Sequence, residues 1–260
     1  MKTSLTPGGK RLRALREYHG FTQLDVELDG SLGIGYLQRL ESGRVQQPER
    51  ETLERILNAL NAHYTERRDV LELFGYVVDA PIPDEAEIEW AVGVCAAELH
   101  SAVFPAYLLD CAHRLLYWNH FVPQLFPLVQ TGDHPSLLKM LFANLYGMTA
   151  LIKNAEEFFP AQIRALRYEM QRFHAELWYE RLLAEMLQYP LFQHYWIKEG
   201  QQPIHIPARP LTLLEIASPG AGVLHFRLIA EPFVHDQRFR VIYYLPADAQ
   251  TIQQCLQWNA

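Results

Sequence analysis

The side chains that could do covalent or metal chemistry are present in this sequence, but not in the groupings such chemistry needs. Eleven histidines are scattered over 260 residues, and none stands at zinc-like spacing from a cysteine. His205, His225 and His235 fall near the C-terminal strand-like runs. Surface or hydrogen-bonded core histidines explain them better than a metal site. The sequence holds no Gly-x-Ser-x-Gly elbow, phosphate-binding loop, His-Glu-x-x-His pair or dinucleotide fingerprint. A non-enzyme without metal or cofactor is therefore expected. Cys95, Cys111 and Cys255 form an odd, sparse set that suits a reducing compartment. The N-terminus lacks a secretory apolar region, and no run reaches the roughly 18 apolar residues of a membrane span. A soluble cytoplasmic protein with no membrane partner is expected. What remains is electrostatic chemistry. The chain carries 23 Lys+Arg against 30 Asp+Glu, a net charge of −7. Residues 1–50 carry eight basic and six acidic side chains, net +2, leaving −9 for the rest. Contact with a polyanion such as DNA is favoured at the N-terminus alone.

The elements that must position these groups are short helices over residues 1–76. The first is expected over about Gly9–Tyr18, with Leu12 and Leu15 inward and Gly20 at its C-terminal cap. Thr22-Gln23-Leu24-Asp25 resembles a capping box that opens a second helix, on which Leu24 and Leu28 share a face. Asp29-Gly30-Ser31 breaks it. A third helix starts near Ile34 and stops at Ser42-Gly43, with Gly33 and Gly35 at its beginning. A fourth carries the stripe Leu53, Ile56, Leu57, Leu60, and a fifth carries Val70, Leu73, Phe74, Val77.

Helices 22–29 and 34–42, joined by a short turn, have the form of a DNA-reading helix-turn-helix. Arg11-Leu12-Arg13-Leu15-Arg16, Phe21-Thr22-Gln23 and Tyr36-Leu37-Gln38-Arg39-Leu40-Glu41-Ser42-Gly43 resemble the XRE, or phage-repressor-like, family. The chain departs from that family at Glu27, where Ala is preferred, and at Ser31, where Gly is preferred. The resemblance implies that helix 34–42 enters the major groove, so Ile34, Gly35, Gln38 and Arg39 face base edges. Arg39 is the best placed, because its fork matches the acceptors of guanine. Gln23, Lys10 and Arg44 are implied phosphate contacts. Arg16 and Glu41 occupy positions that pair in this family and would lock helix one to helix three. Two copies on a palindromic operator, and hence a homodimer, are expected.

Residues 77–83 read as a stiff linker around Pro81 and Pro83, and residues 84–260 as a second domain. Residues 84–101 look helical. Two short strands, Ala106–Asp110 and Arg114–Asn119, flank a Cys-Ala-His turn. Helical text follows over roughly 120–129, 135–153 and 160–188, the last long enough that a break is expected. Three strand-like runs close the chain: Leu211–Ala217, Val223–Phe233 and Phe239–Leu245, with hairpin loops at Ser218–Gly222 and His235–Gln237. The expected fold is an all-α helix-turn-helix domain followed by an α+β PAS-like domain, a five-stranded antiparallel sheet with helices on one face.

Pro105-Ala106-Tyr107-Leu108-Leu109-Asp110, Trp118-Asn119 and Phe192-x-x-x-Trp196 resemble the MmyB-like ligand-binding domain found fused to XRE modules. Ile204-His205-Ile206-Pro207 stands where that family has an Arg/His-His-Pro-x-x-Gly run, and lacks its glycine. The resemblance implies a DNA-binding regulator modulated by an apolar, fatty-acid-like small molecule. Candidate lining residues are Tyr107, Trp118, Phe121, Leu125, Phe126, Phe142, Phe173, Leu177, Phe226 and Tyr243. A carboxylate head would want a cation or a Tyr hydroxyl at the pocket mouth; Arg114, Arg164, Arg167 and His174 are candidates, none favoured by pattern. Two other readings stay open: a heme- or flavin-binding PAS sensor, and a helix-turn-helix used for protein contacts without sequence-specific DNA binding.

Overall fold

The computed structural model describes residues 6–126, 134–144, 147–201, 212–218 and 220–259. The chain divides into two compact units, Met1–Asp79 and Ala80–Ala260. Among the described residues no helix is long and apolar enough to cross a membrane.

The first unit is helical: α1 (Pro7–Tyr18), α2 (Gln23–Asp29), α3 (Tyr36–Glu41), α4 (Arg50–Ala59) and α5 (Tyr64–Leu73). Its core gathers Leu12, Leu15, Val26, Leu37, Leu40, Leu53, Ile56, Leu57, Leu60, Val70 and Leu71. The α4 stripe is wholly buried, as its periodicity predicts. Other stripes are not. Leu24 and Leu28 do share a face of α2, but it is the solvent face; Val26 and Glu27 are the buried pair. On α5, Leu73 and the downstream Val77 are exposed, while Val70 and Leu71 are buried. The capping box of α2 forms as expected: Asp25 N donates to Thr22 Oγ1 at 3.1 Å and Thr22 N to Asp25 Oδ2 at 2.8 Å. Gly9 has a steric role, since a Cβ there would lie 2.6 Å from the Leu40 carbonyl oxygen. Only glycine lets α1 approach α3 this closely.

The second unit opens with α6 (Glu85–Ser101), capped by Asp84, whose Oδ1 accepts from Glu87 N at 2.9 Å. β1 (Ala106–Asp110) and β2 (Leu115–Trp118) form a hairpin. Then come α7 (Val122–Leu125), α8 (Leu137–Phe142), α9 (Met148–Leu151), α10 (Ala155–Met170), α11 (Leu177–Met186) and α12 (Pro190–Gly200). The expected break in 160–188 lies between α10 and α11, at a 3-10 turn over Gln171–Phe173. β3 (Thr212–Ser218), β4 (Gly222–Pro232), β5 (Phe239–Pro246) and α13 (Ala249–Trp258) complete it. The sheet order is β2-β1-β5-β4-β3 with every pair antiparallel. The expected runs match β3–β5 to within a few residues; Leu211, Pro219 and the 202–210 segment with His205 lie outside the described residues.

One expectation needs correcting: helices cover both faces of part of the sheet. On one face α6 sets Ile88, Ala91, Cys95 and Leu99 against Ala106, Leu108, Leu116, Phe239 and Val241. On the other, Tyr107, Leu109, Ile242 and Tyr244 join the larger core with α7, α8, α10 and α12. β1 is buried at every position because of this double cover. β3, away from α6, shows the alternation of a strand covered on one side, with Leu214, Ile216 and Ser218 inward. The expected 77–83 linker is shared between the units. Val77 accepts from Arg50 Nη1 in the first unit at 3.1 Å. Ala80, Pro81 and Pro83 are bonded within the second, by Trp178, Arg238 and Arg114 respectively.

Candidate DNA-binding surface and ligand cavity

In the first unit, Arg16 and Glu41 form a bidentate pair. Arg16 Nε donates to Glu41 Oε1 at 2.7 Å and Nη2 to Oε2 at 3.0 Å. The hydrogen bond that Arg16 donates to Glu41 is the main cause that raises the Arg16 pKa. Gln23 Nε2 also donates to Glu41 Oε2, at 2.7 Å. The side chain expected on phosphate is thus tied into the pair that joins α1 to α3.

The start of α3 departs from expectation. The helix begins at Tyr36, so Gly33 and Gly35 are not interior glycines and carry no interior-helix penalty. Gly35 is the cap residue, at φ +78°. Glu27, 3% exposed, reaches across from α2 and accepts from Gly35 N at 2.9 Å and Leu37 N at 2.8 Å. The acid that departs from the resemblance's preference for Ala therefore caps α3, satisfying two N–H groups that its first turn leaves open. Gly35 consequently has neither a side chain nor a free N–H to offer DNA. Ser31, where the family has Gly, takes a left-handed φ of 51°.

The remaining DNA candidates are available. Ile34, Gln38, Arg39, Lys10 and Arg44 are exposed. None of the three cations among them is held in an ion pair among the described residues. Arg39 lies over the Tyr36 ring, 5.8 Å from its centroid, which gives its fork a platform at the start of α3.

In the second unit, a cavity of about 280 Å³ lies between the sheet and helices α8 and α10. Leu109, Leu137, Leu138, Leu141, Phe142, Leu166, Leu228 and Ile242 make its walls mainly apolar. Tyr107, His113, Gln162, Glu169, Thr212 and Arg240 supply the polar groups. Tyr107 and Phe142 are the sequence-predicted residues that line it. Leu125, Phe126, Phe173 and Phe226 are buried in the surrounding core, Trp118 packs against that core, and Phe121 is fully buried. Four assignments are corrected. Leu177 is 68% exposed. Tyr243 lies on the opposite sheet face, its ring 6.2 Å from Phe104. Arg114 is committed to Asp110, with Nε 2.5 Å from Oδ2, and to the Pro83 carbonyl. His174 is a surface residue with Nδ1 2.7 Å from the Gln171 carbonyl oxygen. Arg164 pairs with Glu199 at 2.8 Å, and Arg167 lies over Trp196 at 4.6 Å.

The cation at the cavity is instead Arg240. Its Nη1 lies 3.1 Å from Glu169 Oε2. Its Nη2 lies 3.0 Å from Nδ1 and 2.9 Å from Nε2 of His113. A donor so near both ring nitrogens sits over the ring face, since an in-plane bond reaches only one. Burial, and then the charge of Arg240, holds the His113 pKa well below its usual value. Nearby, the Tyr107 and Tyr244 hydroxyls meet at 3.1 Å; burial raises the pKa of both. Sequence reasoning missed Arg240 and His113. The lone arginine within the apolar run of β5 was the signal that could have found the first.

Residues 9–70 match a model described as a helix-turn-helix domain. Residues 99–256 match the model of the MmyB-like transcription regulator ligand binding domain. No curated protein matches the chain. The second match spans well over half of the sequence and coincides with the unit that holds the sheet and its cavity. The chain therefore belongs to the MmyB-like transcription regulators, and joins a DNA-binding helix-turn-helix to a domain through which a ligand modulates it.

Proposed function

We propose that this regulator takes an apolar, fatty-acid-like molecule into the cavity over β1, β4 and β5, and that occupancy alters its grip on DNA. The observation that carries the reading is the cavity itself, with its leucine-rich walls and few polar groups. A volume of about 280 Å³ takes about nine groups of water or methylene size at roughly 30 Å³ each. That suits a medium-length chain. Each buried methylene contributes about 0.8 kcal/mol. The ligand shifts DNA binding only if it binds one conformation better than another.

On the DNA side, α3 and the turn before it read the major groove through Ile34, Gln38 and Arg39, with Lys10 and Arg44 on phosphate. Ile34 suits the methyl group of thymine and Arg39 suits guanine. Two copies on a palindromic operator supply the affinity, so the bound form is a homodimer.

The test uses the full chain stripped of lipid. Decanoic acid at about 100 times its Kd stabilises the protein by about 2.7 kcal/mol through mass action, read as a rise in melting temperature, and changes affinity for operator DNA. Ala165→Phe, which fills the cavity, abolishes both effects. Identical melting with and without ligand refutes the cavity reading. An unchanged operator affinity for Arg39→Ala refutes base reading by that side chain, whose removal is expected to cost about 1–3 kcal/mol.

A further inference from the structure

The charged groups at the cavity wall differ in how firmly they are held. Arg240 projects from a central strand, and its side chain is 10% exposed, against 33% for its partner Glu169 on the last turn of α10. The arginine cannot leave without carrying its charge through the core, which is costly. The glutamate can turn into water.

His113 is held just as firmly as Arg240. It occupies the left-handed region, φ 58°, at the tip of the β1–β2 hairpin. Its N–H donates to the Asp110 carbonyl at 3.0 Å. Asp110, fully buried, accepts from the N–H of Arg114 at 2.8 Å and from its Nε at 2.5 Å. A bulky residue in this backbone region costs free energy, and it persists only where its surroundings fix it. The turn thus sets its imidazole beside the Arg240 guanidinium of β5 at one wall of an apolar cavity. Because the imidazole is neutral, one of its ring nitrogens carries a proton to donate and the guanidinium carries the only positive charge.

We propose that Arg240, with His113 beside it, anchors the carboxylate of an aliphatic acid lying in the cavity, and that Glu169 is a built-in competitor which the incoming carboxylate displaces. The assignment rests on the cavity reading above. A planar guanidinium receives a carboxylate through two parallel N–H bonds. Two carboxylates crowding that fork repel one another, so the more exposed Glu169 gives way. Its departure unties β5 from the end of α10, where the chain turns toward α11. Glu169 then sets the affinity for acids while leaving neutral ligands of the same length unaffected.

The experiment measures binding of decanoic acid and of decanol to the lipid-stripped full chain, in the native sequence, in Glu169→Gln and in Arg240→Gln, with Arg240→Lys where the glutamine variant does not fold. Glu169→Gln is expected to tighten decanoic acid by about tenfold, the size of one charge-assisted contact, and to leave decanol within about twofold. Arg240→Gln is expected to weaken the acid by a similar factor with decanol unmoved; Arg240→Lys, which keeps the charge but loses the fork, falls between. If Glu169→Gln leaves the acid unchanged, or shifts acid and alcohol equally, the competitor role is overturned. If the folded Arg240 variant binds the acid as tightly as the native chain does, the anchor is overturned. Binding of both compounds with no preference in any variant leaves the cavity reading standing and removes the anchor. Binding of neither removes both.

Discussion

Both units bury interior ion pairs, Arg16 with Glu41 in the first and Arg238 with Asp236 in the second, but they differ at Arg240. In the helix-turn-helix unit, each buried charged group finds its partner in the interior. Arg16 and Glu41 are 10% and 3% exposed at the side chain, and Glu27 gives both oxygens to backbone N–H groups. Its free cations, Lys10, Arg39 and Arg44, are all outside. In the sheet unit, the buried Arg240 faces a cavity and leans on an acid at the rim. A buried charge matched in the interior fixes a shape. A buried charge matched at a rim remains exchangeable.

The comparison breaks first at Glu41. Glu41→Ala leaves Arg16 buried without a counterion and Gln23 without its acceptor. The expected cost is about 3–5 kcal/mol in denaturant unfolding of the first unit. Replacing both Arg16 and Glu41 by apolar residues is expected to cost less than the single change, and a double-mutant cycle without coupling energy would contradict the pair's role. Next is Glu27→Ala, which uncaps α3 and is expected to cost about 1–3 kcal/mol. Glu27→Gln, able to accept with one oxygen, falls between. Equal stability of all three proteins would show that the cap is idle.

The sheet unit is probed by pH. The native state resists protonating His113, whereas the unfolded chain binds that proton below about 6.5, the ordinary value of a histidine. Unfolded chains then hold more protons than folded ones, so stability is full above that pH and falls as pH drops toward the folded pKa. The slope for one proton is at most about 1.4 kcal/mol per pH unit. His113→Gln is expected to flatten this part of the profile, and an unaltered slope below pH 6.5 would assign it to other groups. The smallest effect is at Ser31. Ser31→Gly relieves its positive φ but frees the unfolded chain, for a net gain of under about 1 kcal/mol. A melting temperature that falls would mean that the serine side chain has a role of its own.

Much of this protein is determined locally. The Thr22–Asp25 box, the α4 stripe and the glycines at helix ends specify their helices from side chains a few residues apart, so they are legible without a fold. The paired appearance of the two strands near residue 110 and the three near the end is legible for the same reason. The short stripes misled because an i, i+4 pair such as Leu24 and Leu28 marks a common face of a helix without saying which way that face turns. The cap of α3 was not legible either, since Glu27 acts on Gly35 and Leu37 across a turn, where chain entry angle decides the reach.

The cavity is the work of tertiary structure alone. Along β5 the run Phe239 to Leu245 is apolar apart from Arg240, because α6 covers one face and α8 and α10 the other. A strand covered on both sides loses the alternation by which sequence reveals its inward face. Pairing with β1, which sets Arg240 opposite Leu109 and Tyr243 opposite Ala106, assigns the faces. It puts Arg240, Ile242 and Tyr244 toward the cavity side and Tyr243 toward α6. A shift of one residue would exchange them. The sequence could state that an arginine and a tyrosine were there; only the register of the sheet decided that the arginine, and not the tyrosine, meets the cavity.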